Sequence, residues 1–138
     1  MVDESGNVGS SNFGLTKSFL SQTVSRMDID SGNTRVGLVT YSGYVRERFK
    51  LNSYSSVASM QSAISSLNYS GGSTNATVAL RHVRTSMLRP AAGDRSAVPN
   101  VVALVTAGGV TDDSNMQVRN GYNVILALVW LPCRLAHK

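Results

Sequence analysis

The sequence predicts an α/β fold: a doubly wound, mostly parallel sheet flanked by helices. Three observations point there. Short, β-branched apolar runs alternate along the chain with stretches of helical periodicity. The 138 residues, 42% of them hydrophobic, allow one domain with a real core and argue against two. Three polar loops, residues 3–7, 71–75 and 106–113, can lie at the carboxyl edge of such a sheet, where ligands bind.

The elements follow in order. Residues 12–27 carry Phe13, Phe19, Leu20, Val24 and Met27 at helical spacing, with Ser10 and Ser11 placed to cap the start. Residues 35–41 (RVGLVTY) are short, apolar and β-branched, a buried strand. Residues 45–51 (VRERFKL) alternate apolar and charged, a half-exposed strand joined to the previous one through Ser42 and Gly43. A helix over 57–67 sets Val57, Met60, Ile64 and Leu67 on one face, and the polar loop 70–75 follows. The next helix has Ala76, Ala79, Leu80, Val83 and Met87 on its apolar side, and 90–99 is a loop. Residues 101–106 (VVALVT) form another buried strand. Thr111, Asp112 and Asp113 begin a helix, where acids favour its dipole, and 122–130 is a last strand.

Composition excludes several classes. Charged residues are 15%, below the roughly 25% of ordinary soluble domains, and Lys plus Arg exceed Asp plus Glu by 13 to 8 for a net charge of +5. No apolar run approaches the roughly 18 residues of a membrane span, so no membrane insertion is expected. No signal peptide is seen at Met1. Cys133 is the one cysteine, which rules out an internal disulfide framework and a cysteine-based zinc site. No nucleophile elbow, dinucleotide fingerprint, phosphate loop or zinc-protease motif is present. Ser5 or Ser73 with His82 is the only visible nucleophile–base combination, and no spacing supports it, so the chain is not expected to be an enzyme.

The three loops carry a resemblance. Asp3-Glu4-Ser5-Gly6-Asn7, with Val8-Gly9 and Lys17-Ser18-Phe19-Leu20 behind it, resembles the opening of a von Willebrand factor type A domain. Residues 35–42 resemble that family's second strand, residues 71–76 with Ala79 and Leu80 its threonine loop, and residues 101–108 its fourth strand and following loop. The matches fall in family order over residues 1–130, which implies a Rossmann-like sheet of the matrix and adhesion type.

The resemblance implies a metal-ion-dependent adhesion site. A hard cation such as Mg²⁺ takes about six oxygens, drawn from an Asp-x-Ser-x-Ser loop, a threonine, an aspartate, water and an acidic partner group. Asp3, Ser5 and Thr74 match that pattern. Asn7 stands in place of the second serine, and Ala107 in place of the aspartate, which removes one oxygen ligand and one negative charge. Mg²⁺ binding is therefore expected to be weak or absent. Asn7, Ser73, Asn75 and Gly108 are the expected partner-facing positions. The family's first strand should end at its motif aspartate, yet Asp3 is the third residue. Residues 131–138 match nothing expected after the fifth strand. The sheet is thus expected to be incomplete, lacking most of its first strand and a C-terminal strand and helix. Such a chain is expected to be unstable alone, to pair with other chains, or to be completed by another segment.

Other signals are weaker. Arg46, Arg48 and Lys50 share one face of a strand. They read as an edge strand protected by charge more readily than as a patch for an anionic glycan. Nucleic-acid binding has no signature. Asn68-Tyr69-Ser70 and Asn75-Ala76-Thr77 are glycosylation sequons. The expected function is a non-enzymatic, extracellular protein-binding module for a matrix partner, collagen-like or other. The alternative is a degenerate fragment or spacer without binding of its own.

Overall fold

The computed structural model describes residues 1–106 and the backbone of residues 123–125. Strand β1, Val2–Asp3, is short and wholly buried. It leads through a loop into helix α1, Ser10–Ser25. Strands β2, Leu38–Tyr41, and β3, Val45–Phe49, form a hairpin whose turn closes by Ser42 N–H donating to the Tyr44 carbonyl at 2.9 Å. Helices α2, Val57–Ser65, and α3, Ala76–His82, come next. Strands β4, Val101–Ala103, and β5, Asn123–Ile125, complete the described elements.

Two sheets result. One has the order β1-β2-β3, with β1 parallel to β2 and β3 antiparallel on the outer edge. The other pairs β4 and β5 in parallel. Val2 links them, lying opposite Thr40 on one side and Val105 on the other. Parallel pairing around β1 with helices between the strands is the predicted α/β architecture; among the described strands, only the hairpin departs from parallel order.

Alternation along β2 divides the core. Leu38 joins Val2, Phe13, Val24, Met60 and Ile64 beneath α1 and α2. Val39 turns to the other face, against Val83 and Met87, while Tyr41 packs with Ala79 and Leu104. Helix α3 widens after His82 into a π-helical turn, Val83–Met87, which keeps Val83 and Met87 in that second layer.

Several ends differ from the sequence reading. Gly9, with φ +75°, caps α1, so Ser10 and Ser11 lie inside the helix and do not cap it. The strand expected over 35–41 pairs only from Leu38, and the one over 45–51 stops at Phe49. The strand over 101–106 is regular only over Val101–Ala103. The last strand is met at Asn123–Ile125. Its remaining residues, the helix start at Thr111, Asp112 and Asp113, and the tail 131–138 lie outside the described residues.

A cleft of about 530 Å³ opens between β2 and β4, and none of the residues of loops 3–7 and 71–75 lines it. Val36, Leu38, Met87 and Val101 are among its walls. Phe19 and Met27, expected on the buried face of α1, stand here 38% and 37% exposed. Among the described residues, no strand pairs with β2 ahead of Thr40, or with β4 ahead of Ala103, on the side facing this cleft.

Candidate functional site

Asp3 ends β1, and its carboxylate organises the first loop. Oδ1 accepts the Ser5 backbone N–H at 2.9 Å, and Oδ2 accepts the Thr106 hydroxyl at 2.8 Å. Asp3, Glu4 and Ser5 are all buried. Ser5 Oγ has no hydrogen-bond partner among the described residues, a costly state for a buried hydroxyl. The Tyr41 phenol lies in the same neighbourhood. Burial, then the Asp3 charge, push its pKa well above the ordinary tyrosine value, against a smaller lowering by a hydrogen bond with the Thr106 side chain.

The second loop is tied to the first through main-chain groups. Gly6 N–H donates to the Gly72 carbonyl at 2.8 Å, Gly71 N–H to the Glu4 carbonyl at 3.0 Å, and the Tyr69 hydroxyl to the Ser5 carbonyl at 3.0 Å. Gly71 and Gly72 both hold positive φ, +70° and +93°, which a side chain would resist. Asn75 N–H donates to the Ser42 carbonyl at 2.8 Å, fixing the far end of the loop. Ser73, Thr74 and Asn75 stand exposed between these anchors, as does Asn7 across from them. Asn75 also caps α3, its side-chain oxygen accepting Val78 N–H at 3.2 Å. Asn68 is exposed as well.

The structure thus brings the loops bearing Asp3, Ser5, Asn7, Ser73, Thr74 and Asn75 to one edge. Thr106 reaches it from the end of the β4 segment. Ala107 and Gly108, the next two residues, lie outside the described residues. Among the described residues, no three His, Cys, Asp or Glu side chains gather as a metal cluster. The described donors at this edge are the Asp3 carboxylate and hydroxyls, oxygens suited to a hard divalent cation. The orphaned Ser5 Oγ fits such an ion.

Glu4 is the feature that the sequence reading passed over. Its carboxylate is wholly buried, with Arg46 Nη1 at 2.6 Å from Oε1 and Arg48 Nη2 at 2.9 Å from Oε2. Arg46 also donates to Ser70 Oγ at 3.1 Å, and Arg48 to the Asn68 carbonyl at 3.3 Å and Thr40 Oγ1 at 2.7 Å. Of the stripe Arg46, Arg48 and Lys50, the arginines lie on β3 at the edge of the three-stranded sheet, and Lys50 follows its end. Both arginines are engaged internally, and Lys50 lies 3.8 Å from Glu47. The available signal was a lone acid between two site residues, facing arginines at alternate positions of a strand. His82 bonds Glu47 at 2.9 Å, and the structure does not bring it to Ser5.

Comparison with known proteins extends these findings. The sequence profile of the von Willebrand factor type A domain matches residues 1–126. The human collagen alpha-1(XX) chain is 38% identical over 119 residues, 86% of this chain and 9% of the collagen. Human matrilin-4 is 36% identical over 115 residues, covering 82% of this chain and 18% of matrilin-4. Mouse von Willebrand factor A domain-containing protein 2 is 31% identical over 133 residues, covering 94% of this chain and 17% of its own. The chain thus spans less than a fifth of these relatives' lengths. Among solved structures, proximal thread matrix protein 1 from the mussel byssus superposes with a TM-score of 0.73 at 24% identity, over 80% of this chain and 30% of its own, a likeness of fold. One structure of that mussel protein has a zinc-occupied MIDAS motif. Among the described residues, no helix is long and apolar enough to cross a membrane.

Proposed function

The chain belongs to the von Willebrand factor type A domain family, and on that premise we propose that it is an extracellular protein-binding module of matrix or adhesion type. It holds its partner at the edge formed by the loops around Asp3, Thr74 and Thr106. Its relatives include collagens and matrilin, which supports an interaction among matrix proteins and favours a collagen-like or other matrix partner. The module acts by binding and not by catalysis.

The observation that carries this reading is Ser5 Oγ, buried and without a partner beside a carboxylate held in place by two hydrogen bonds. Asp3, Ser5 and Thr74 would hold a divalent cation, with Asn7 alongside. The cation, when bound, offers an acidic group of the partner a positively charged seat. Ala107 supplies no carboxylate, so the site holds Mg²⁺ weakly or not at all. Asn7, Ser73, Asn75 and Gly108 face the partner, and a glycan on Asn75 would crowd that edge, whereas one on Asn68 would stand nearer the arginines.

The test is a binding measurement on immobilised fibrillar collagen, and on matrix extract, in excess Mg²⁺ and again in EDTA. Retention weakened by EDTA and abolished by Asp3→Ala supports a metal-assisted edge. Retention indifferent to EDTA but lost on substituting Ser73 and Asn75 places recognition on the loops themselves. A well-folded chain retained by neither surface would instead select the second reading, a spacer, which the alanine at position 107 favours.

A further inference from the structure

We propose that Glu4 is a positioning residue for this edge: clamped by Arg46 and Arg48, it fixes the 68–72 loop against the first loop and so sets where Thr74 stands relative to Ser5. The proposal rests on the loop edge being the partner-facing site. Three observations support it. Glu4 lies between Asp3 and Ser5, and strand alternation turns its side chain to the opposite side, toward β3. Both carboxylate oxygens are taken by guanidinium groups, and those same groups reach on to Ser70 Oγ and the Asn68 carbonyl, at the base of the second loop. The Glu4 backbone grips the same loop, accepting from Gly71 N–H, while its own N–H donates to the Tyr41 carbonyl. Beyond this grip the chain passes through Gly71 and Gly72, both at positive φ, directly before Ser73 and Thr74. A glycine pair carries little stiffness of its own. The orientation of Thr74 therefore depends on the anchors on both sides of it: the Glu4 grip, carried past the pair by Gly6 N–H on the Gly72 carbonyl, and the Asn75 bond to Ser42.

The experiment is residue-resolved amide hydrogen exchange on the full chain, comparing wild type with Glu4→Gln and Arg48→Met. Charge-assisted hydrogen bonds are lost locally, so exchange at Gly6 and Gly71 should quicken by roughly tenfold or more beyond any change at Met60 and Ile64 in α2, which follow global stability alone. Equal loss of protection at all four amides would mean that Glu4 supports only global stability, and unchanged exchange at Gly6 and Gly71 would mean that it holds nothing; either overturns the proposal. If Glu4→Gln does not fold, Arg48→Met decides, since Arg46 still partners the carboxylate there. Melting with and without Mg²⁺ is run alongside. A wild-type midpoint indifferent to Mg²⁺ refutes the metal-holding reading alone, and the exchange result still decides the role of Glu4.

Discussion

Ser5 Oγ is a buried hydroxyl that nothing among the described residues satisfies. Removing such a group relieves a desolvation penalty, so Ser5→Ala should raise metal-free stability by about 1 kcal/mol in urea titration. The same substitution should abolish any gain in melting temperature on adding Mg²⁺. A stability loss without metal would mean that the hydroxyl has a partner after all. Glu4 presents the reverse case. Glu4→Gln leaves two guanidinium groups without their carboxylate, one of them 20% exposed, and should cost about 2–3 kcal/mol by the same titration. Tyr41 gives a pH signature. Its phenol stays protonated in the folded state where the unfolded chain ionises, so the folded state binds more protons above about pH 10, and stability falls as pH rises through that range. Tyr41→Phe should flatten this alkaline limb in melting curves taken between pH 9 and 12. At this scale the resemblance pointed to Asp3, Ser5 and Thr74, because a loop motif is matched residue by residue, and the structure brings their two loops to one edge. The sequence did not show that Glu4 would meet Arg46 and Arg48, because that meeting depends on a strand pairing more than forty residues away.

Element boundaries follow the same division between local and distant causes. Helix α2 starts where its sequence says, with Ser56 accepting the Ser59 N–H. Helix α3 starts at Ala76 for the same reason, capped by Asn75, so one side chain serves as cap, sequon and edge residue. Asn75→Ala should lower stability by about 1 kcal/mol in denaturant unfolding, while Asn75→Asp keeps the cap and removes the sequon at little cost. Equal losses in the two would show that the cap does not matter. Strand ends were less legible. Residues 35–37 (Arg, Val, Gly) open the run read as a strand, but pairing begins only at Leu38, because a strand needs a neighbour and composition does not supply one. The π-helical widening at Val83 had no local signal either; it keeps Val83 and Met87 against Val39.

On the scale of the molecule, the α/β alternation was readable because each segment's period is set by its own burial. The cleft was not, since it belongs to no segment. Phe19, Met27, Val98 and Val101 line it and stay exposed, an apolar surface of the kind that draws another surface onto it. Sedimentation of the 138-residue chain should therefore show self-association that grows with concentration. Val101→Lys should shift its onset roughly tenfold upward, equivalent to about 1.4 kcal/mol. Identical sedimentation of variant and wild type would show that the cleft takes no part.

Val2 has a further consequence. It is the residue whose strand pairing joins the two sheets, touching Thr40 on one side and Val105 on the other. A pull delivered at the loop edge enters the molecule through Asp3, immediately beside it. Were the proposed edge to carry load, this seam of a few backbone hydrogen bonds would share it with α3, whose cap Asn75 stands at the same edge, so the seam and the helix start would be strained together.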